Sequence, residues 1–190
     1  MAADAYAQLA ETLERLTYAT GQRGPLADVL DVEELSYQTG ITSDVVAGLL
    51  NGDHAPEASV TDRVRQRLEF LRASRLRDDG NRYSQGELAK IAGVSRQTLA
   101  AWFDSGVPNL ESADRLRRFF GLSAGFLTAD EPEALNDALQ PKLQVLEAQS
   151  DPLAPLRTPG FLRLARRAPH MSAKKLEALE QWAEAVTERD

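Results

Sequence analysis

YSQGELAKIAGVSRQTLAAW, residues 83–102, is the stretch from which the rest of the chain is read. Ser84, followed three residues later by Glu87, has the spacing of a capping box, so a helix is expected over 84–92. Gly93 supplies the left-handed residue at which a chain can reverse sharply. Ser95 then caps a second helix over 95–103. At about 100° per residue, Leu99, Trp102 and Phe103 of that helix fall on one side, where Leu88, Ile91 and Val94 can meet them. The opposite face is left free. It carries Gln97 and Ala101 at its centre and Arg96 and Thr98 on its flanks, with Asp104 sharing the outward side. A helical hairpin in an ordinary bundle could show a cap or a glycine turn; here two caps, the glycine and the apolar spacing coincide.

Those outward residues are the types a helix needs to read DNA. Arg grips guanine O6 and N7 as a fork, Gln does the same to adenine N6 and N7, and a small Ala leaves room for a thymine methyl. Gln85 and the helix end it opens are suited to a phosphate. Across SQGELAKIAGVSRQTLAAW the sequence resembles the helix-turn-helix of the phage-repressor-like (Xre) regulators. The resemblance implies that the helix over 95–103 enters the major groove of double-stranded DNA, with Gln85, Ser95, Arg96, Gln97, Thr98 and Ala101 as the contact set.

Composition narrows the alternatives. With 190 residues and 43% hydrophobic content the chain is globular, with room for one or two small domains. No apolar run approaches the roughly 20 residues of a membrane span, and the opening MAADAYAQLAETLERL has acids where a signal peptide has bases, so a cytoplasmic, nucleoid-associated location is expected. There is no Cys, and His54 and His170 are isolated, so neither a metal site, a cofactor nor a catalytic relay is expected, and the chain does not read as an enzyme. The net charge of −7 is uneven. Residues 1–60 carry 10 acids and 2 bases, residues 61–120 carry 8 acids and 12 bases, and residues 121–190 carry 11 acids and 8 bases. The positive third contains the motif, and a local patch matters more to phosphate than the total.

The chain opens with an amphipathic helix over 4–19, striped by Tyr6, Leu9, Leu13 and Leu16 and ended by GQRGP. From Val32 the motif recurs in weaker form. A shift of 53 residues sets Leu35 under Leu88, Gly40 under Gly93, Ile41 under Val94, Thr42 under Ser95, Val46 under Leu99 and Leu49 under Trp102. The outward positions differ: Ser43, Asp44 and Gly48 stand for Arg96, Gln97 and Ala101, and residues 26–59 contain no Lys or Arg. This degenerate module is expected to avoid DNA and to contact protein instead. A helix over 58–79 follows, with Val60, Val64, Leu68 and Leu71 as its buried stripe. Arg63, Arg65, Arg67, Arg72, Arg75 and Arg77 lie around that stripe, available to solvent, to acids or to phosphates. Asp78 and Asp79 read as turn formers.

Beyond the motif, a helix over 110–120 should turn Leu116, Phe119 and Phe120 inward and end at Gly121. A helix over 133–148, kinked at Pro141, carries Leu135, Leu139, Leu143 and Leu146. After a Pro-interrupted linker, two more helices are expected, the last striped by Leu176, Leu179, Trp182, Ala183 and Val186. FFGLSAGFLTADEPEAL, GFLRLARRAPHMSAKKLEALEQWAEAV and the early RLTYATGQRGP look like the EspR-like actinobacterial branch of the same regulators, which implies a helical C-terminal dimerisation domain. The sequence departs from that branch in carrying two modules.

The expectation is thus an all-α chain with an acidic module over 1–58, a DNA-binding helix-turn-helix domain over 59–130 and a dimerisation region over 131–190. It would act as a homodimeric, sequence-specific transcriptional regulator, with a protein partner for the acidic module. A nucleoid-type architectural DNA binder and an antitoxin-like adaptor are the rival readings.

Overall fold

A computed structural model describes residues 2–21 and 24–150. Every regular element among them is helical: α1 (Ala2–Thr20), a 3-10 turn (Leu26–Asp28), α2 (Val32–Thr39), α3 (Ser43–Leu50), α4 (Val60–Ser74), α5 (Gln85–Ala92), α6 (Arg96–Asp104), α7 (Leu110–Phe120) and α8 (Glu131–Ser150). Up to Leu146 they belong to one compact unit containing two apolar cores.

The first core is closed by elements far apart in sequence. Leu9 and Leu16 of α1 meet Leu35 of α2, Val46, Leu49 and Leu50 of α3, and Leu135, Leu139 and Leu143 of α8. The three α8 leucines, spaced by four, are all 0% exposed, a burial contributing about 1.5–3 kcal/mol per side chain. Helix α8 runs through Pro141, which is exposed. A polar seam accompanies the leucines. Thr12 Oγ1 donates to Asn136 Oδ1 at 2.7 Å and accepts from Gln140 Nε2 at 2.9 Å, while Lys142 pairs with Glu34 at 2.7 Å. Residues 131–146 thereby share a core with the N-terminal helices, because their leucine stripe finds its apolar partners there.

The second core joins Val64, Leu68 and Leu71 of α4 to Leu88, Ala89, Ala92, Leu99, Trp102, Leu116, Leu122 and Phe126. Two expectations about it change. Val60 is 53% exposed: it is the first residue of α4, one turn short of the core. Phe119 is also 53% exposed and sits with its edge to Tyr83, 5.9 Å between ring centres, so the inward side of α7 is held by Leu116.

Arg67 of α4 and Arg75, the C-cap of that helix, join the lobes. Arg67 is 2% exposed. Its Nη1 donates to the carbonyls of Thr39 and, at 2.9 Å, Phe126, and its Nη2 lies 3.9 Å from Glu131. Burial lowers its pKa to about 10, opposed by the charge of Glu131, so it stays protonated at neutral pH. Arg75 donates Nη2 to the Tyr37 carbonyl at 2.8 Å and stacks on the Tyr37 ring at 3.4 Å. Both therefore engage carbonyls in the last turn of α2, where a helix lacks partners for its C=O groups and favours cations. Neither is available to a phosphate.

Candidate nucleic-acid interface

The turn between α5 and α6 is built by its caps. Ser84 Oγ accepts from the Glu87 amide, and Glu87 Oε2 accepts from the Ser84 amide at 2.8 Å and its hydroxyl at 2.7 Å, completing a capping box. These bonds, with Arg77 Nη1 donating at 2.6 Å, hold the Glu87 carboxyl down to about 2. Arg77 is also bound by Asp79, so its charge is committed to two carboxylates beside the start of α5. Gly93 takes φ +73° in the reversal, and the Val94 amide reaches back to the Ala89 carbonyl at 2.9 Å.

Ser95 then opens α6. Its hydroxyl accepts from the Thr98 amide at 3.0 Å and pairs with the Thr98 hydroxyl at 2.8 Å. Leu99 and Trp102 anchor the helix in the second core, and Phe103, half-buried, lies under the Arg72 guanidinium, 4.9 Å from ring centre to Cζ. With that side fixed, Arg96, Gln97, Thr98 and Ala101 are all exposed on the other. Gln85 is half-buried as the first residue of α5. Arg96 crosses the first turn of α5, where Gly86 leaves it room: a Cβ there would stand 3.6 Å from Arg96 Nε. The side chains expected around one groove-facing surface thus come from the start of α5 and the outer side of α6. Ser95 and Thr98 are already engaged with one another. Asp104 is exposed at the end of the same helix.

Much of the positive charge of the middle third is engaged within the chain, by surface acids as the sequence allowed and, for Arg67 and Arg75, by buried carbonyls that it did not indicate. Besides Arg67, Arg75 and Arg77, Arg63 donates to the Ala58 and Thr128 carbonyls, Arg65 pairs with Asp62, Arg115 with Glu111, and Arg117 and Arg118 with Asp114. Arg96, Arg82 and Lys90 are exposed and make no ion pair among the described residues. One signal was present: Arg67 and Arg75 continue the three- and four-residue spacing of Val64, Leu68 and Leu71 and so fall on the buried side of α4.

Helices α2 and α3 repeat the geometry with different outward chemistry. Asp31 and Thr42 occupy the two cap positions, and Gly40 turns at φ +71°. Asp44 is exposed on α3. Its carboxyl is held below the usual range by the Thr42 side chain and by amides of the first turn. Gly48 lies beneath Asp53: a Cβ there would be 3.5 Å from Asp53 Oδ2. This surface is anionic where that of α6 is not.

No helix among the described residues is long and apolar enough to cross a membrane, and no cluster of three or more His, Asp or Glu among them could hold a metal. Leu176, Leu179, Trp182 and Val186, expected to mediate dimerisation, lie outside the described residues. A family model described as helix-turn-helix matches residues 75–127, from the C-cap of α4 through the close of the second core. The chain therefore carries an Xre-type helix-turn-helix domain there, of a family that binds DNA. No curated protein and no solved structure matches the chain.

Proposed function

We propose that the protein is a sequence-specific, DNA-binding transcriptional regulator that acts as a homodimer in the cytoplasm, at the nucleoid. The observation that carries this reading is the outer side of α6. Within a domain of a DNA-binding family, it offers Arg96, Gln97 and Ala101 to solvent while Leu99 and Trp102 fix the helix from behind. Arg96 and Gln97 discriminate bases, Ala101 admits a thymine methyl, and Gln85, Ser95 and Thr98 meet the backbone. The division into an acidic module over 1–58, a reading domain over 59–130 and a dimerisation region over 131–190 belongs to the same proposal, as does the likeness to the EspR-like branch.

Genome-wide occupancy of the tagged protein, compared with an Arg96→Ala, Gln97→Ala variant, tests the reading. Sharp peaks over one short motif that vanish in the variant are expected. In binding assays Arg96→Ala should cost about 1–3 kcal/mol on the preferred site and little on random DNA. Broad coverage unchanged by the substitutions would instead identify an architectural binder. For the dimer, Leu176, Leu179, Trp182 and Val186 form the apolar stripe, and Trp182→Asp should yield monomers in analytical ultracentrifugation. A variant that stays dimeric removes that stripe from the interface.

A second reading is favoured by α3, whose Asp44 faces outward in a segment, 26–59, with 7 acids and no bases. We assign this module to a protein partner. Occupancy that is absent everywhere, with a protein retained by the full-length chain and released by Asp44→Arg, would make the adaptor role primary.

A further inference from the structure

Six arginines lie on or just beyond α4, and their spacing alone does not single out a phosphate contact. Their partners in the fold remove five. Arg67 and Arg75 are buried on main-chain carbonyls, Arg63 donates to the carbonyls of Ala58 and Thr128, Arg65 pairs with Asp62, and Arg77 is held by Asp79 and Glu87. Arg72 is left. It is exposed, and no carboxylate pairs with it among the described residues, neither Glu69 on its own helix nor Asp104 on α6.

The Arg72 guanidinium lies over the Phe103 ring, 4.9 Å from its centre, and Phe103 belongs to α6. Phe103 follows Arg96 by seven residues, close to two helical turns, so both lie on one flank of α6, about 10 Å apart along its axis. At the start of that flank Arg96 crosses the first turn of α5 beside Gly86. Near its end a second cation arrives from α4. Stacking occupies only the face of a guanidinium. The N–H groups around its edge stay free, and the ring holds their plane in place, which lowers the ordering cost of gripping a phosphate. A strand bordering the groove that such a helix enters runs along its flank, where contacts to phosphates position the protein.

We propose that Arg72 is a phosphate clamp of the DNA-binding surface, seated on Phe103 and reaching the strand that passes the Arg96 flank of α6. The proposal rests on the reading of α6 as the helix that meets DNA. It adds a contact from outside the α5–α6 hairpin that carries no sequence preference of its own. By tying the end of α6 to the backbone, Arg72 sets the register in which Arg96 and Gln97 meet base edges.

Binding of the full-length protein to a random-sequence DNA duplex, followed by fluorescence anisotropy across a salt series, tests the clamp. Arg72→Gln should make the slope of log affinity against log salt shallower by about 0.9, the loss of one phosphate contact. Because the residue is exposed, the variant should keep the native melting temperature. Arg72→Lys keeps the charge and should retain the native slope. Arg65→Gln removes a charge from the same helix that Asp62 already holds, and should leave the slope unchanged. A slope unaffected by Arg72→Gln overturns the clamp and leaves the reading of α6 standing. So does an equal change in Arg65→Gln, which would reduce the effect to net charge. A native protein without salt-dependent binding overturns both.

Discussion

Helices α2–α3 and α5–α6 place the same backbone turn in two different surroundings. Shifted by 53 residues, the first helix of each pair begins and ends at equivalent positions, and the turn glycines differ by 2° in φ, 71° against 73°. Leu35 and Leu88, Val46 and Leu99, and Leu49 and Trp102 are buried in both. What separates the pairs is what touches them. Gly40 is buried and pressed by another lobe, so that a Cβ would stand 2.6 Å from Phe126 Cζ and 2.8 Å from Arg67 Cδ. Gly93 is exposed, and a Cβ there would come 2.9 Å from Arg115 Cζ, the end of a long side chain on α7. The buried positions preserve the hairpin, while the surroundings decide what it can be used for.

The largest expected effect breaks this symmetry. Gly40→Ala adds left-handed strain, about 1–2 kcal/mol, to overpacking of about 1–3 kcal/mol, and should lower stability by about 2–5 kcal/mol in urea denaturation. Gly93→Ala carries the strain alone, because Arg115 can move aside, and should cost about 1–2 kcal/mol. Equal losses would mean that the packing of Phe126 and Arg67 on Gly40 contributes nothing.

A smaller effect is expected at the caps. The Glu87 carboxyl is held at about 2 against an ordinary 4.5, so it stabilises the fold fully above pH 4.5 and loses that contribution as pH falls toward 2. Asp31 caps α2 through the Glu34 amide at 2.9 Å and has no arginine partner among the described residues. Thermal melts of Glu87→Gln between pH 2 and 7 should lie below the native protein at neutral pH and converge with it in acid. Parallel curves would assign the acid sensitivity elsewhere.

The smallest change in stability, within about 0.5 kcal/mol, is expected from giving α6 the outward residues of α3 by Arg96→Ser with Gln97→Asp. DNA binding should nevertheless be lost, as measured by fluorescence anisotropy at fixed salt. Retention of binding would move the reading surface off α6.

The turn, both caps and the inward residues of α5–α6 were legible in sequence because each depends on neighbours within a few positions. The free side of α6 followed from them. The repeat at 32–50 was legible for the same reason. Arg67 and Arg75 were not assigned, although they lay in the buried register. Their acceptors are main-chain carbonyls of Tyr37, Thr39 and Phe126, which any residue supplies and which lie 28 to 59 positions away. The partner of α8 was hidden likewise: a leucine stripe says that a helix must be covered, not by what. Val60 and Phe119 show the converse limit, since both fit an apolar period but fall where the core has already ended.

The seam between Thr12 and Asn136, 124 residues apart, also sets an order of assembly during synthesis. The core beneath α6 has all its residues once Phe126 has left the ribosome, whereas the N-terminal core waits for Leu135, Leu139 and Leu143. The earliest residues to be made are therefore among the last to be enclosed, because contacts of long sequence separation carry the larger loop-closure cost. Until α8 arrives, Leu9, Leu16 and Leu35 remain open to water or to a chaperone, and a chain interrupted near residue 130 would carry a finished helix-turn-helix lobe beside an unfinished one.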